Sequence, residues 1–372
     1  MYTILINYTG RTGAGISYAY EMCKAFLNNG VNVYAIISKQ ANNYCDWCKL
    51  PGLNLIGIDT YENKFEFIMA TLKFCKKRNE IKKKLQNIKI DAEYVPMPTY
   101  WSGLISELFK DVPKYYTVHD VKLHSGEKFF NKIWWFFLER ELKKCRKIIV
   151  LSSIFVEEAK TKYGKNNKDI VVLPHPAFWE YKSKYIPSDY KSYPFDKVNF
   201  LFFGRIERYK GIDILLKAYH KVFKNVGDRI TLTIAGKGSL LEYSENINAG
   251  KNISVINEMI PDERIGALFN GNRVVTVLPY RDATQSGVIP TAAMFNSLTI
   301  VTDVGALSEQ VGYGKYGIVV DANDPNSLAD AMLDVVNYFD KYKKIIVQAN
   351  ENIKPLTWDN IARRLISEMK KI

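Results

Sequence analysis

The stretch FLFFGRIERYKGIDILLKAY, residues 200–219, decides the fold class of this chain. Its apolar beginning predicts a buried strand that stops at Gly204, and apolar residues then recur at helical spacing. A buried strand followed by an amphipathic helix is the repeating unit of a parallel α/β sheet. Arg205 and Lys210 lie between the two elements, at the sheet edge where α/β proteins bind ligands beside helix N-termini.

The chemistry of Arg205 and Lys210 favours a diphosphate ligand. A guanidinium grips phosphate oxygens as a fork, whereas an ammonium acts as a point charge, so the pair suits a pyrophosphate better than one carboxylate. The alternative from spacing alone is two solvated cations on a surface loop.

Residues 274–311 predict a second anion site in the same half of the chain. They are typical of a strand, a polar loop, a helix, a strand and a further helix. Gly287 begins the first of these helices, since Pro290 fits only in its first turn. The amides near Ser286, Gly287 and Val288 are therefore expected to be free, and one phosphorylated ligand would bridge both sites.

These motifs and several others occur in an order that resembles glycosyltransferase family 4, the retaining, nucleotide-sugar-dependent enzymes with the GT-B fold. The motifs are the first loop with Gly13 and Gly15, TVHD (117–120), IIVLSS (148–153), VVLPHP (171–176), GRIERYKG (204–211), TIAGKG (233–238), TQSGVIPTAAM (284–294) and TDVGALSE (302–309). The resemblance covers nearly the whole chain. It implies two Rossmann-like, doubly wound α/β domains that face each other across a cleft.

The chain length of 372 residues also favours two domains with separate cores. We expect an N-terminal, acceptor-side domain over residues 1–185 and a nucleotide-sugar-binding domain over residues 186–358. The resemblance implies that a last helix, within 359–372, packs back on the first domain. Residues 181–198 lack a hydrophobic period and are interpreted as the linker, and specificity is expected to lie in loops such as 39–65 and 96–106.

The resemblance assigns roles to individual residues. Arg205 and Lys210 would neutralise the donor diphosphate, which is the leaving group, so they act in catalysis as well as in binding. Gly236 and Gly238 would shape the nucleotide side, although simple turn glycines are an equal alternative. The implied donor-binding residues are Gly13, Gly15, Gly236, Gly238, Thr284, Gln285, Ser286, Gly287 and Val288.

His119, in TVHD, follows a predicted strand, and the resemblance implies that it contacts the donor sugar near the reacting carbon. It would orient the sugar or support the oxocarbenium-like state through its backbone or its ring; a purely structural histidine is the alternative. Asp120 would orient His119 or the acceptor. His124 is a weaker candidate, and His175 is expected to be a packing residue.

The chain departs from the family at two positions. Family members commonly carry two glutamates eight residues apart, and Thr284 and Ala292 occupy the matching positions here. Either a neutral polar set, Thr284 to Ser286, binds the donor in place of the glutamates, or activity has been lost. We favour the first because Arg205, Lys210, Gly287 and His119 are all present. The segment ATQSG (283–287) resembles a subgroup found among bacterial surface-polysaccharide enzymes.

Positive charge is concentrated in the first half of the chain. The net charge is +13, and residues 1–190 carry 29 Lys and Arg against 19 Asp and Glu, a net +10. Basic residues cluster in 73–85 and bracket the aromatic run 129–147, which together predict peripheral contact with an anionic membrane.

Core packing is the alternative for the aromatic run 129–147, because most of its apolar residues share one helical stripe. That stripe consists of Phe130, Ile133, Trp134, Phe137 and Leu138, whereas Phe129, Trp135 and Phe136 lie off it.

Other classes of protein fit the sequence less well. No segment has the roughly 20 apolar residues of a membrane span, and the N-terminus does not resemble a signal peptide, so a cytoplasmic protein is expected, with any lipid contact at the inner face of the cell membrane. Cys45 and Cys48 lack partners for a zinc site, and neither a metal nor a cofactor is expected. No nucleic-acid-binding module and no pair of glycosidase carboxylates can be identified.

The sequence thus predicts a retaining hexosyltransferase-type enzyme that moves a sugar from a nucleoside-diphosphate sugar to a glycan or lipid-linked acceptor in cell-surface polysaccharide synthesis. Three alternatives stay open: a nucleotide-sugar epimerase of the same fold, a non-catalytic partner of another transferase, and a lipid-surface adaptor.

Overall fold

The computed structural model describes residues 1–120, 129–183 and 196–371, and the side chains of these residues except 64, 129–133 and 183. The chain divides into two compact units. Unit 1 comprises Met1–Pro174 and Trp358–Ile372, and unit 2 comprises His175–Thr357. The division lies before the predicted boundary at 185 because Ala177 already packs in unit 2, against Ala293 and Met294.

Within the described residues, unit 1 is built on a seven-stranded parallel sheet with the strand order β3-β2-β1-β4-β5-β6-β7. The order reverses between β1 and β4, which pair directly and so create a crevice at the carboxyl ends of the strands. The strands are β1 (Thr3–Tyr8), β2 (Asn32–Ser38), β3 (Leu53–Ile58), β4 (Ala92–Val95), β5 (Lys114–Val118), β6 (Lys147–Val150) and β7 (Ile170–Val172).

Helices cover this sheet, and the last helix of the chain belongs to unit 1. They are α1 (Ala14–Asn28), α2 (Tyr44–Lys49), α3 (Lys64–Leu72), α4 (Phe74–Leu85), α5 (Ser102–Ser106), α6 (Phe129–Lys144), α7 (Val156–Tyr163) and α16 (Trp358–Lys370). Helix α16 buries an apolar stripe, and the ring of its Trp358 contacts Tyr18 of α1 edge to face at 5.2 Å. Its Glu368 pairs with Lys147 at 2.6 Å.

In the described part of unit 2, six parallel strands form a sheet with the order β10-β9-β8-β11-β12-β13. They are β8 (Val198–Phe203), β9 (Ile230–Ala235), β10 (Ile253–Ile256), β11 (Val274–Leu278), β12 (Leu298–Thr302) and β13 (Ile318–Val320). The strand order reverses between β8 and β11, so the loop with Arg205 and Lys210 lies beside the loop that leads to Gly287.

The helices of unit 2 pack on both faces of its sheet. They are α8 (Glu180–Ser183), α9 (Ile212–Val226), α10 (Ser244–Ala249), α11 (Asp262–Leu268), α12 (Val288–Met294), α13 (Leu307–Gln310), α14 (Pro325–Asn337) and α15 (Lys343–Ile353). Helix α9 follows a single 3-10 turn, Arg208–Lys210, and buries the apolar residues whose spacing predicted it.

Two segments interpreted as specificity loops contain regular structure. Residues 39–65 include α2 and the edge strand β3, and residues 96–106 include α5. The interpretation of 39–65 as a loop is wrong for β3, a short and partly exposed strand whose apolar pattern is interrupted by Gly57. The predicted linker falls mostly on 184–195, outside the described residues.

A buried carboxyl group anchors α5 beneath the carboxyl ends of β1 and β4. Glu93 is fully buried, and its Oε1 accepts hydrogen bonds from Asn7 Nδ2 at 2.7 Å and from the Ser106 hydroxyl. Its Oε2 has no hydrogen-bond partner among the described residues. Burial raises the pKa of Glu93 above its ordinary value of 4.5, so the neutral acid is more favoured in the folded protein than in the unfolded chain.

Replacing Glu93 by glutamine should stabilise the protein at neutral and alkaline pH. Because the pKa of Glu93 is higher in the folded protein than the 4.5 of the unfolded chain, stability is lost as pH rises from 4.5 through the folded pKa. In thermal melts at about pH 7.5 the Glu93→Gln variant should melt above wild type, by roughly 2–4 °C for each kcal/mol recovered. The difference between Glu93→Gln and wild type should vanish below pH 4.5. The control Glu80→Gln, at an exposed glutamate, should melt with wild type at both pH values. If Glu93→Gln also melted with wild type at both pH values, the raised pKa of Glu93 would be contradicted.

Candidate functional site

The loops that follow β8 and β11 are in direct contact at the switch point of unit 2. Gly211 has a φ of +68°, and a Cβ atom there would lie 1.9 Å from the Pro279 carbonyl oxygen. The Arg281 backbone N–H donates to the Tyr209 carbonyl at 2.7 Å. Glycine at position 211 therefore allows the start of α9 to approach the end of β11.

Side chains reinforce this contact between the two loops. The Arg281 guanidinium forms an ion pair with Asp213 in the first turn of α9 and donates to Asn323 Oδ1 at 2.6 Å. Because three segments meet at one guanidinium, the loop after β11 is fixed relative to α9. None of these contacts could be inferred from local sequence, since Arg281 and Asp213 lie 68 positions apart.

Lys210 and Ser286, predicted to serve one ligand, contact the same tyrosine. The Lys210 ammonium lies 3.6 Å from the centroid of the Tyr280 ring, a cation–π contact. The Tyr280 hydroxyl lies 3.4 Å from the Ser286 hydroxyl, and the Tyr280 side chain is fully buried. One rigid ring therefore sets the distance between the ammonium and the start of α12.

Arg205 differs from Lys210 in its surroundings. Its side chain is 74% exposed, and its guanidinium lies 3.7 Å from the Glu207 carboxylate. An ion pair this exposed contributes little, so the guanidinium is free to exchange Glu207 for a better anion.

The prediction of three free amides at Ser286, Gly287 and Val288 is wrong for two of them. The Ser286 amide donates to Gln310 Oε1 at 2.8 Å, and Gln310 Nε2 donates back to the Ser286 carbonyl at 3.1 Å. The Val288 amide donates to the Ser286 hydroxyl at 3.3 Å. Within the described ranges only the Gly287 amide of the three lacks a partner, so Gln310 shapes the loop rather than leaving it open.

His175, expected to be a packing residue, lies against the predicted donor-site glycine. A Cβ atom built on Gly287 would be 3.5 Å from the buried His175 ring. The ring Nδ1 donates to the Pro176 carbonyl at 2.7 Å, which assigns the proton of a neutral ring to that nitrogen. The Pro-His-Pro sequence of this turn, residues 174–176, is the signal that could have marked His175 as a residue of the candidate site.

The neutral polar set around Gly287 includes a buried atom without a partner. Gln285 Oε1 is buried and accepts no hydrogen bond from any described residue, which is uncommon for a buried polar atom. Thr284 is partly exposed, and its carbonyl accepts the Ala306 amide at 3.2 Å.

Ala292 does not line an open surface. Its side chain is fully buried in an apolar cluster with Leu201 and Leu268. Position 292 therefore lies in the core of unit 2, and its alanine supplies no carboxylate.

Gly236 and Gly238 allow the loop after β9 to pass close to the loop after β8. A Cβ atom on Gly236 would lie 1.9 Å from the Gly204 carbonyl oxygen, and one on Gly238 would lie 2.2 Å from the Ile206 carbonyl oxygen. This steric role is sufficient to explain both glycines, and a contact with the nucleotide stays a prediction.

In unit 1, His119 follows β5 and its ring is buried. Nε2 donates to the Pro96 carbonyl at 3.0 Å, and the ring meets Tyr18 edge to face at 4.7 Å. Burial lowers the pKa of His119 below its ordinary value of 6.5, with neighbouring Asp120 opposing this effect, so the ring is neutral at neutral pH. Because Nε2 of the neutral ring already donates to Pro96, only Nδ1 or the backbone of His119 could contact a sugar. His124 lies outside the described residues.

Gly13 and Gly15 form the uncapped start of α1. Gly13 has a φ of +87° and precedes the helix without a side-chain cap. A Cβ atom on Gly15 would lie 2.6 Å from Met97 Sδ and 2.7 Å from the Tyr8 hydroxyl oxygen. A larger residue at position 15 would therefore have to displace the ends of the Met97 and Tyr8 side chains.

Two protein families match the chain in the order of its units. Residues 16–177 match "Glycosyltransferase Family 4", and residues 197–337 match "Glycosyl transferases group 1". Together they span most of the sequence. The chain belongs to the family 4, group 1 glycosyltransferases.

Sequence relatives agree with this family. A D-inositol 3-phosphate glycosyltransferase from Corynebacterium urealyticum is 25% identical over 175 residues, which are 44% of this chain and 41% of the relative. A second, from a Nocardioides species, is 26% identical over 48% of this chain and 42% of the relative. The chain therefore spans less than half the length of these curated relatives.

Solved structures confirm the predicted fold class, GT-B with two Rossmann-like domains. HepE from Anabaena, solved in complex with UDP and glucose, superposes with a TM-score of 0.75 at 13% identity, over all of both chains. Sucrose-phosphate synthase from Thermosynechococcus elongatus gives 0.74 at 16% identity, over 99% of this chain and 98% of the other. At such low identity the likeness extends to the fold only.

Proposed function

We propose that this glycosyltransferase is a retaining enzyme that moves a hexosyl or related sugar from a nucleoside-diphosphate sugar to a glycan or lipid-linked acceptor. The observation that carries the proposal is the contact of Lys210 and Ser286 with one buried tyrosine at the switch point of unit 2. It holds a cation close to Gly287, where a phosphate would be recognised by the charge of Lys210 and by the Gly287 N–H.

In this proposal Lys210 and Arg205 stabilise the leaving group. Negative charge grows on the β-phosphate as the glycosidic bond breaks, so cations fixed in advance favour the transition state over the ground state. Lys210 is already held by Tyr280, whereas Arg205 exchanges Glu207 for the diphosphate on binding.

The retaining outcome follows from a front-face reaction in which the departing diphosphate oxygen takes the acceptor proton. The C1–O bond to the diphosphate breaks, the acceptor oxygen bonds to C1 on the same face, and the proton moves to the nucleoside diphosphate. This route needs neither a protein nucleophile nor a metal. It accommodates Thr284 and Ala292, where the family commonly has carboxylates.

The donor class and the cellular role have separate support. UDP and glucose in the solved HepE complex are consistent with a nucleotide-sugar donor, and Gln285 Oε1 is a buried acceptor that a donor hydroxyl could satisfy. The resemblance of ATQSG (283–287) to enzymes of bacterial surface-polysaccharide synthesis supports that role.

Thermal-shift screening against UDP, GDP, ADP, dTDP and their sugars tests the donor site. A nucleotide present at 100 times its dissociation constant should stabilise the protein by about 2.7 kcal/mol. Arg205→Ala and Lys210→Ala should largely abolish the shift. Arg208→Ala, which removes an exposed cation from the same loop, should keep it. Equal shifts in all four proteins would contradict the diphosphate clamp.

A non-catalytic, nucleotide-binding role is the second candidate, and the burial of Ala292 among apolar residues favours it. Such a protein would show the thermal shift yet neither transfer nor hydrolyse a labelled donor. An epimerase of the same fold would instead convert the donor sugar without any acceptor.

A further inference from the structure

Helix α3 in unit 1 carries its apolar stripe on the outside. Phe65 and Leu72 are each 73% exposed, and Ile68 and Met69 between them are exposed as well. The spacing of these residues places them on one side of the helix. An amphipathic helix normally turns such a stripe toward the core, so α3 offers an unpartnered apolar surface.

A groove between α3, α5 and α6 adds a second apolar surface, and on α3 it is lined by Phe67 and Thr71 rather than by the stripe. The groove has a volume of about 450 Å³. Its aromatic wall is continuous, since the ring of Phe67 lies 5.3 Å from Tyr100, and Tyr100 lies 5.4 Å from Trp134. Other lining residues are Leu104, Phe137 and Leu138. We call these groove residues and the α3 stripe the apolar face.

Helix α6 contributes to this face differently from the sequence prediction. Trp135, predicted to lie off the buried stripe, packs in the core and its ring accepts a cation–π contact from Lys162 at 4.8 Å. Phe137, predicted to lie on that stripe, is 57% exposed, and Phe136 is 61% exposed. The side chains of residues 129–133 are outside the description.

Basic residues lie on the helix that follows α3 and at the groove. Helix α4 follows α3 after one residue, and it carries six Lys and Arg against the single acid Glu80. It buries Phe74, Ile81 and Leu85, which leaves its basic residues on the outer side. Arg140 and Lys144 of α6 line the groove itself, together with Glu107 and Glu141.

We propose that unit 1 docks on an anionic lipid bilayer, with the apolar face in the interfacial layer and the α4 cations on the headgroups. Apolar side chains next to a basic helix match the two layers of such a membrane surface. Across the described ranges every helix is too short or too polar to span a bilayer, so the contact is interfacial. A second copy of this chain fits less well, because two α4 helices would meet with charge of the same sign.

Vesicle sedimentation with the whole chain, without donor or acceptor, tests the docking surface. Wild type should bind phosphatidylcholine vesicles that contain phosphatidylglycerol, and the double variant Phe65→Ser/Leu72→Ser should bind about tenfold more weakly or worse. Lys82→Glu/Lys83→Glu should weaken binding by about fivefold for each cation lost. The matched control is Leu241→Ser/Val347→Ser, which removes two exposed apolar side chains from unit 2 and should change nothing.

Several results would overturn the proposal. One is equal binding to vesicles without phosphatidylglycerol, and another is binding that is unaffected by Phe65→Ser/Leu72→Ser. Self-association in sedimentation velocity that this double variant abolishes, without vesicle binding by wild type, would assign the face to a second copy. Thermal melts establish that each variant is folded, and the donor thermal shift, measured separately, keeps this test independent of the proposed activity.

Discussion

Replacing Lys210 by alanine should lower kcat/KM for the donor by roughly 10²–10³, because removal of one preorganised donor at a developing negative charge costs about 2.7–4 kcal/mol. The ammonium lies 3.6 Å from the Tyr280 ring, so it is positioned before the diphosphate arrives. The loss should fall mainly on kcat, since the charge on the leaving group is greatest in the transition state. Steady-state kinetics with a radiolabelled donor measure both constants.

Variants of Tyr280 separate positioning from charge. Tyr280→Phe retains the ring face and should keep most of the activity, whereas Tyr280→Leu removes the cation–π contact and should reduce kcat/KM by about tenfold. Arg208→Ala, in the same loop, is the control for a general loss of positive charge. Unchanged kinetics in Lys210→Ala would remove this residue from the mechanism, and a loss equal to that in Arg208→Ala would indicate only long-range attraction of the donor.

The sequence predicted those parts of the fold whose signals are local. Strand β8 (Val198–Phe203) ends where predicted, just before Gly204, because its apolar run stops at that glycine. Helix α12 begins after Gly287, as expected from Pro290. The two loops after β8 and β11, expected to bind one ligand, lie side by side because their strands pair directly in the doubly wound sheet.

The contacts that shape the candidate site were not predictable because they join distant positions. Tyr280 supports Lys210 from 70 positions away along the chain, and Gln310 holds Ser286 across 24 positions. No local pattern distinguishes these side chains from other polar residues. The exchange of Trp135 and Phe137 between core and surface has a similar cause, since the neighbours of α6 rather than its own spacing decide which side is buried.

Replacing Gly211 by alanine should destabilise unit 2 by about 3 kcal/mol or more and should also abolish donor binding. Its left-handed backbone costs alanine roughly 1–2 kcal/mol, and the added Cβ atom would lie 1.9 Å from the Pro279 carbonyl oxygen. Because that oxygen is backbone, relief requires the loop after β11 to move away from α9, and Tyr280 follows Pro279 directly. Lys210 would then lose the ring that positions it, so stability and donor binding should fall together.

Gly164→Ala is the matched control for the steric effect. Gly164 has a φ of +61° and a ψ of +40°, close to the +68° and +32° of Gly211, but no atom lies within 4 Å of its added Cβ. It should therefore lose only the backbone contribution. Hydrogen exchange followed by mass spectrometry should assign the Gly211→Ala loss to peptides of unit 2, first at 204–213 and 279–288. Equal destabilisation by the two variants, or a normal donor shift in Gly211→Ala, would show that close contact between these loops is not what forms the site.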